Sequence, residues 1–137
     1  MSAENEATVR GWFAAGDAGN LDDFDRFLHR DVVVHAPLDF STSGIDPEKE
    51  VWRSVLKGVP DILHSVQEVL SSGSTVAMRT LVTGTHTGEF AGLSGTGRTF
   101  RINQAVFARL SDGKVVEAWE IADSGELFKQ LGGETPA

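Results

Sequence analysis

The sequence predicts an α+β domain in which helices pack against one face of a curved, mainly antiparallel sheet. Apolar residues recur at helical spacing in the first half of the chain, and alternation of period two dominates the second half. An Asp-Gly pair, typical of tight hairpins, joins two of the alternating runs. Helices followed by consecutive strands are typical of α+β domains. One domain is expected over residues 1–133, followed by a tail at 134–137.

The helical half predicts three helices and one strand. The first helix has an apolar face formed by Val9, Trp12, Phe13 and Gly16. Asn20 is a suitable cap for a short second helix, and Asp46-Pro47 is a start signal for a third. The apolar face of this third helix consists of Val51, Trp52, Val55, Leu56 and Val59. Between the second and third helices, residues 31–35 form a strand because three consecutive valines favour extended structure.

The second half of the chain predicts four strands. Their ranges are 62–70, 75–86, 99–110 and 114–122. The third of these strands has one apolar face, formed by Phe100, Ile102, Val106, Ala108 and Leu110. Asp112-Gly113 turns the third strand into the fourth, and Ser124 is expected to cap a last short helix. The glycine-rich stretch between His86 and Arg98 is either a flexible flap or a bulged link.

Composition limits the partners and the compartment. Lys and Arg number 12 against 20 Asp and Glu, a net charge of −8, which repels nucleic acid and anionic membranes. The polar N-terminus lacks the basic and apolar regions of a signal peptide, and no apolar run approaches the ~20 residues that span a bilayer. We therefore expect a cytoplasmic protein with neither a nucleic-acid nor a membrane partner.

Neither a metal site nor a cofactor is expected. There is no Cys, and the four histidines are widely spaced along the chain: His29, His35, His64 and His86. A nucleophile elbow and a phosphate-binding loop are also absent from the sequence.

The strand at 114–122 contains the most interesting carboxylate. Alternation places one set of side chains on the same strand face: Val115, Glu117, Trp119, Ile121 and Asp123. An Asp against apolar walls loses hydration, which raises its pKa and makes it useful as an acid or base near neutral pH. The alternative is that Asp123 only caps the last helix.

Other side chains are candidates for a ligand pocket. His86 ends its strand beside the glycine-rich stretch, His35 follows three Val residues at the end of the strand at 31–35, and His64 lies at the start of the strand at 62–70. Tryptophans more often belong to the core than to a ligand platform, although a pocket lined by Trp is also buried. The candidate substrate-binding residues are His35, His64, Trp119, Trp12, Phe13 and Trp52.

Three segments carry a resemblance to a known family. They are the run 85–92 with its His before Gly, the hairpin 107–117, and Asp123 followed by 127–132. These segments resemble the corresponding segments of the SnoaL-like polyketide cyclase branch of the nuclear-transport-factor-2-like superfamily. The resemblance covers nearly the whole chain and implies a conical, barrel-like curved sheet and a homodimer. The predicted outer sheet face would carry Arg101, Asn103, Phe107 and Arg109.

The resemblance also implies roles for two residues. Asp123 stands where the family has its catalytic acid/base, and His86 stands where it has a supporting pocket residue. One departure is that the chain has no Tyr, so the tyrosine oxyanion donor of the ketosteroid isomerases in this superfamily is absent. A developing enolate would need His86, His64, a Trp nitrogen or water instead.

Three functions are compatible with these observations. The first is cofactor-independent acid/base ring closure or isomerisation of a small apolar carbonyl substrate, with Asp123 as base and His86 positioning the oxygen. The second is a hydrolase or hydratase in which Asp123, with Asn103 or Glu120 nearby, activates water. The third is a non-enzymatic module that binds a ligand or a second subunit, because fold alone does not decide function.

Overall fold

The protein is described by a computed structural model that covers residues 2–132. Its helices are α1 (Ser2–Ala18), a 3-10 helix (Leu21–Arg26), α2 (Ile45–Gly58) and α3 (Ser124–Gln130). Its strands are β1 (Leu28–His35), β2 (Thr42–Ser43), β3 (Leu63–Ser72), β4 (Thr75–Thr85), β5 (Thr99–Ser111) and β6 (Lys114–Ala122). The predicted tail at 134–137 lies outside the described residues.

The six strands form one curved sheet in the order β2-β1-β6-β5-β4-β3. All neighbours are antiparallel except β1 and β6, which run parallel and bring His35 opposite Trp119. The predicted α+β class is therefore confirmed, with one parallel pair that the sequence did not indicate.

No helix within residues 2–132 has the length and apolar character needed to cross a bilayer.

The helices cover the concave side of the sheet and enclose the core. Val9, Trp12 and Phe13 are buried on the predicted face of α1. Gly16 on that face lets α2 approach closely, since a Cβ at this position would lie 2.4 Å from the Trp52 ring. Close approach of α1 to α2 thus fixes the position of Trp52, whose indole also forms part of a cavity wall.

Three of the predicted helix starts are wrong. Asn20 makes no side-chain capping bond, and the segment after it is a 3-10 helix. α2 begins at Ile45 after Gly44, whose φ of 99° is a conformation that glycine adopts without strain, so Asp46 and Pro47 lie inside the first turn. Asp123, rather than Ser124, caps α3, because its side chain accepts a hydrogen bond from the Glu126 backbone N–H.

A β-bulge in β6 changes which residues face inward. Leu110 pairs with Val115, whereas the next residue back, Arg109, pairs with Glu117, so Val116 is the extra residue. Val115 is buried, but after the bulge the inward positions become Ala118, Glu120 and Ala122. The alternation predicted from Val115 therefore assigned every later residue of the strand to the wrong face.

Candidate functional site

A cavity with a volume of about 90 Å³ lies between α2, α3 and the concave face of the sheet. Its walls are mostly apolar, with aromatic rings from Phe40, Trp52, Phe90 and Phe100. The polar side chains that reach it are Glu48, His64, Gln104, Glu120 and Ser124. A mostly apolar cavity with a few converging polar groups is the usual form of a small-molecule site.

Glu120 projects from β6 into this cavity. Glu120 lines the cavity and is partly exposed as a residue, while its carboxyl group is surrounded by protein. Burial, together with the smaller effect of the nearby negative charge of Glu48, raises the pKa of Glu120 to about 8. No cation pairs with Glu120 within residues 2–132, so the carboxyl holds its proton at neutral pH.

Glu48 is the second carboxyl of the cavity, and its surroundings differ from those of Glu120. Its residue is 2% exposed, and burial raises the pKa of the carboxyl. The Thr42 hydroxyl donates to Oε1 at 2.6 Å, and the Trp52 indole N–H donates to Oε2 at 3.1 Å, and both bonds oppose this rise. Two donors favour the charged form, so Glu48 is the carboxylate and Glu120 the protonated acid of this pair.

Gln104 connects Glu120 to Thr80 through two hydrogen bonds. The Thr80 hydroxyl donates to Gln104 Oε1 at 3.3 Å, which turns the Gln104 amide N–H toward Glu120 Oε1 at 3.4 Å. Both Thr80 and Gln104 are buried on the cavity side of the sheet. This chain of hydrogen bonds holds the Glu120 side chain without supplying a positive charge.

His64 lies at the opposite edge of the sheet, on β3, and also lines the cavity. Its Nδ1 is 2.7 Å from Asp17 Oδ1 on α1, and its ring packs against the rings of Phe13 and Trp52. Of the predicted substrate-binding residues, His64 and Trp52 are the two that reach the cavity.

The expectation that Asp123 points into the cavity is wrong. Asp123 is exposed, lies on the outward side of the chain after the β6 bulge, and uses its carboxylate to cap α3. The alternative considered from sequence, a helix cap, describes its position. Asn103, the partner considered for water activation, is also exposed on the outer face of β5.

His86 is fully buried beside the cavity but does not line it. Its Nε2–H donates to the Leu93 carbonyl at 3.1 Å, so its Nδ1 accepts from the Thr96 hydroxyl at 3.1 Å. Both ring nitrogens are thus used to hold the glycine-rich loop, which places the Phe90 ring in the cavity wall. The structure gives His86 the position of a loop anchor rather than of a group facing a ligand.

The remaining candidates lie away from the cavity. Trp12 is buried in the core, and Phe13 faces His64 from behind. Trp119 and His35 stack on each other on the outer face of the sheet, with ring centroids 5.3 Å apart. The parallel pairing of β1 with β6 and the bulge in β6 together explain their placement there.

Sequence reasoning missed Glu48, Gln104 and Asp17 as site residues and mentioned Glu120 only as a neighbour. Glu48 precedes Trp52 by one helical turn, so it falls on the apolar face of α2, where a charged residue is unusual. Gln104 interrupts the apolar face of β5 in the same way. A polar residue inside an apolar stripe was the available signal.

Within residues 2–132, no cluster of three or more His, Asp or Glu side chains is placed to hold a metal ion.

Comparison with known proteins identifies similar chains. The family model described as SnoaL-like polyketide cyclase matches residues 7–131. Among characterised proteins, the aklanonic acid methyl ester cyclase DnrD of Streptomyces peucetius is 26% identical over 132 residues, which is 93% of this chain and 90% of DnrD.

Several solved structures are also similar to this chain. IdmH of Streptomyces antibioticus, a proposed polyketide cyclase, is 29% identical with a TM-score of 0.82, covering 93% of this chain and 98% of IdmH. AclR of Streptomyces galilaeus, a proposed hydroxylase, is 30% identical with a TM-score of 0.82, covering 96% of this chain and 98% of AclR. A SnoaL-like protein of Jannaschia sp. CCS1 is 19% identical with a TM-score of 0.89, covering 98% of this chain and 96% of that one, and supports the fold alone.

Proposed function

Because the chain belongs to the SnoaL-like polyketide cyclase family, we propose that it is a cofactor-independent enzyme. It catalyses acid/base ring closure, of the aldol type, or isomerisation of a small apolar carbonyl compound. The apolar cavity walls match an apolar ligand, and the polar groups at its base match a carbonyl oxygen. The names of DnrD and IdmH point to the same class of reaction.

The observation that carries this proposal is Glu120, a carboxyl of the apolar cavity wall whose pKa is raised to about 8 by burial and by the nearby Glu48. A carboxylic acid that keeps its proton at neutral pH can donate a hydrogen bond to a carbonyl oxygen and strengthen that bond as an enolate develops. This supplies the oxyanion donor that the absence of Tyr had left open. Burial, and to a smaller extent the neighbouring carboxylate of Glu48, raises the pKa of Glu120 and so keeps the proton in place.

We also propose a cytoplasmic homodimer that does not bind nucleic acid. The outer face of the sheet exposes Leu70, Phe107, Trp119 and Ile121, an apolar area that a second copy of the chain would cover. Arg101, Asn103 and Arg109 add polar groups to the same face. The net charge of −8 disfavours polyanionic partners.

Labelling from solvent tests the reaction class. The protein is incubated with 2-tetralone, an apolar ketone that cannot close a ring, in deuterated water containing oxygen-18, and the ketone is examined by mass spectrometry. We expect deuterium at the carbon next to the carbonyl well above the uncatalysed rate, and no oxygen-18 beyond spontaneous carbonyl exchange. No enhancement of deuterium uptake would contradict the proposal.

A hydration or hydroxylation reaction is the second candidate function, because the chain is similar to AclR, a proposed hydroxylase. Hydration adds a solvent hydroxyl to one carbon of a double bond and a solvent hydrogen to the other, whereas hydroxylation takes its oxygen from dioxygen and requires two electrons from a reductant. An unsaturated apolar ketone that gains a stable oxygen-18 hydroxyl in the same solvent, together with no enhanced deuterium uptake by 2-tetralone, would support hydration over the proposed reaction.

A further inference from the structure

His64 and Asp17 form a buried pair that the proposed function does not yet use. Asp17 Oδ1 lies 2.7 Å from His64 Nδ1, and Asp17 Oδ2 accepts the His64 backbone N–H at 2.7 Å. The side chains of His64 and Asp17 are only 7% and 10% exposed. Both carboxylate oxygens therefore hold the same residue, once through its backbone and once through its ring.

This geometry determines which ring nitrogen carries the proton. A carboxylate only accepts hydrogen bonds, so Nδ1 of His64 must be the N–H donor and Nε2 carries the free lone pair. Nε2 has no hydrogen-bond partner among residues 2–132, and His64 forms part of the cavity wall. The rings of Phe13 and Trp52, 5.0 and 5.5 Å away between centroids, restrict rotation of the imidazole.

Among the cavity groups, His64 is also the one free to accept a proton. Glu120 already holds its proton at neutral pH. Burial raises the pKa of the Glu48 carboxyl, but each of its oxygens already accepts a hydrogen bond, Oε1 from Thr42 and Oε2 from Trp52. The lone pair on His64 Nε2 has no such competitor among the described residues.

We propose that His64 is the general base that removes the carbon-bound proton, and that Asp17 is the positioning residue that fixes its tautomer. The ligand class that fits is a carbonyl compound with an acidic C–H, held with its oxygen toward Glu120 and its C–H toward His64. This inference rests on the proposed function and adds the group that the acid Glu120 requires as a partner.

The proton and electrons balance without a further reactant. His64 Nε2 takes the proton, the C–H electron pair becomes the enolate, and the enolate oxygen accepts the hydrogen bond of Glu120. In ring closure the enolate carbon bonds to a second carbonyl carbon, and the new alkoxide takes the proton from the imidazolium. Substrate and product are isomers, and the Asp17 carboxylate stabilises the imidazolium while it exists.

Nitrogen NMR of the imidazole tests the role of Asp17 without any substrate. In the wild-type protein, ¹⁵N shifts should show His64 as the Nδ1–H tautomer. In Asp17→Asn, the amide oxygen is expected to keep the backbone N–H of His64, which leaves the amide NH₂ facing Nδ1 and moves the ring proton to Nε2. A wild-type ring with its proton on Nε2 would overturn the inference.

Deuterium uptake by 2-tetralone tests the role of His64. His64→Gln and Asp17→Asn should each lower the exchange rate by about two orders of magnitude, the usual loss for an acid–base group. The matched control is His35→Gln, which removes an imidazole with a carboxylate partner at 2.8 Å on the outer face and should leave the rate within about twofold.

The outcomes separate this inference from the proposed function. Exchange that is lost in Glu120→Gln but retained in His64→Gln would overturn the base assignment and leave the enolate route in place. Absence of exchange in the wild-type protein would overturn the proposed function and the base assignment together. Circular dichroism and the melting temperature of each variant show that a lost rate does not reflect unfolding.

Discussion

Two glutamates on opposite faces of β6 have pKa values that are shifted in opposite directions. Glu117 and Glu120 lie three residues apart on this strand. Glu117 faces outward, where its hydrogen bond with His35 at 2.8 Å and the nearby Arg109 guanidinium lower the pKa of its carboxyl. Glu120 faces the cavity, where burial raises its pKa to about 8.

This difference shows that the surroundings, rather than the residue type, decide which carboxyl can exchange protons near neutral pH. A carboxylate with a cationic or donating partner in contact with water stays charged and inert. A carboxyl that loses its hydration and gains only a weak amide contact becomes a proton donor.

The largest effect is expected for Glu120→Gln against Glu117→Gln. Both substitutions replace a β6 carboxyl by an amide of nearly the same size. Glu120→Gln should lower the rate of deuterium uptake by about two orders of magnitude, because an amide N–H is a weaker donor to the developing enolate than a carboxylic acid O–H. Glu117→Gln should leave the rate within about twofold. Equal losses in the two variants would contradict the distinction between the faces.

The outer face can be altered without touching the cavity. Ile121 is 61% exposed on that face, so Ile121→Lys places a charge in the proposed dimer contact. Light scattering should show the mass falling from two chains to one, while the rate per chain changes little. Ala7→Lys, on the exposed side of α1, is the control that should leave the mass unchanged. A wild-type protein that is already monomeric at micromolar concentration would contradict the dimer.

Stability should depend on pH through Glu120. Its pKa is raised on folding from the model-peptide value of 4.5, so between pH 4.5 and about 8 the folded state binds a proton that the unfolded state has lost. The free energy of unfolding therefore falls as pH rises through this window, by an amount on the order of a few kcal/mol at most. Urea unfolding at pH 5.5 and 8.5 measures it.

The control for that measurement is Glu120→Gln, which has no proton to lose. Its stability should fall less between pH 5.5 and 8.5 than that of the wild-type protein, and it should be the more stable of the two at the higher pH. Parallel pH dependence in both proteins would mean that Glu120 is already charged at neutral pH.

The smallest effect is expected at Asp123. Asp123→Ala removes the capping bond to the Glu126 N–H and should cost about 1 kcal/mol of stability, while Asp123→Asn should cost little because Asn caps about as well. Neither substitution should change the exchange rate by more than about twofold. A hundredfold loss of rate in Asp123→Asn would return the catalytic role to this residue.

The sequence predicted the elements whose signals are local. The Asp112-Gly113 pair forms the hairpin with φ values of 52° and 77°, and the buried face of β5 is the one expected from alternation. The start of α2 was misplaced because Gly44 stands at the cap position without a side chain to mark it. The parallel pairing of β1 with β6 depends on contacts between distant segments, which no local pattern encodes.

The site was harder to predict than the fold, for an identifiable reason. One extra residue, Val116, reverses the alternation of β6, and the β5 partners that define this bulge lie outside the strand. Asp17 and His64 are 47 residues apart in sequence and meet only when α1 packs on β3. Periodicity identifies the faces of an element, whereas the groups that meet across a cavity are set by tertiary packing.

The charge state of Glu120 decides whether the cavity contains the proposed acid. Carbon-13 NMR of protein labelled at the Glu carboxyl carbons follows each side chain through a pH titration, and Glu120→Gln and Glu117→Gln identify the two signals. We predict that the Glu120 signal titrates with a midpoint of about 8, while the Glu117 signal titrates below the ordinary glutamate pKa of 4.5. A Glu120 midpoint near 4.5 would show a charged carboxylate in the cavity and contradict the proposed acid.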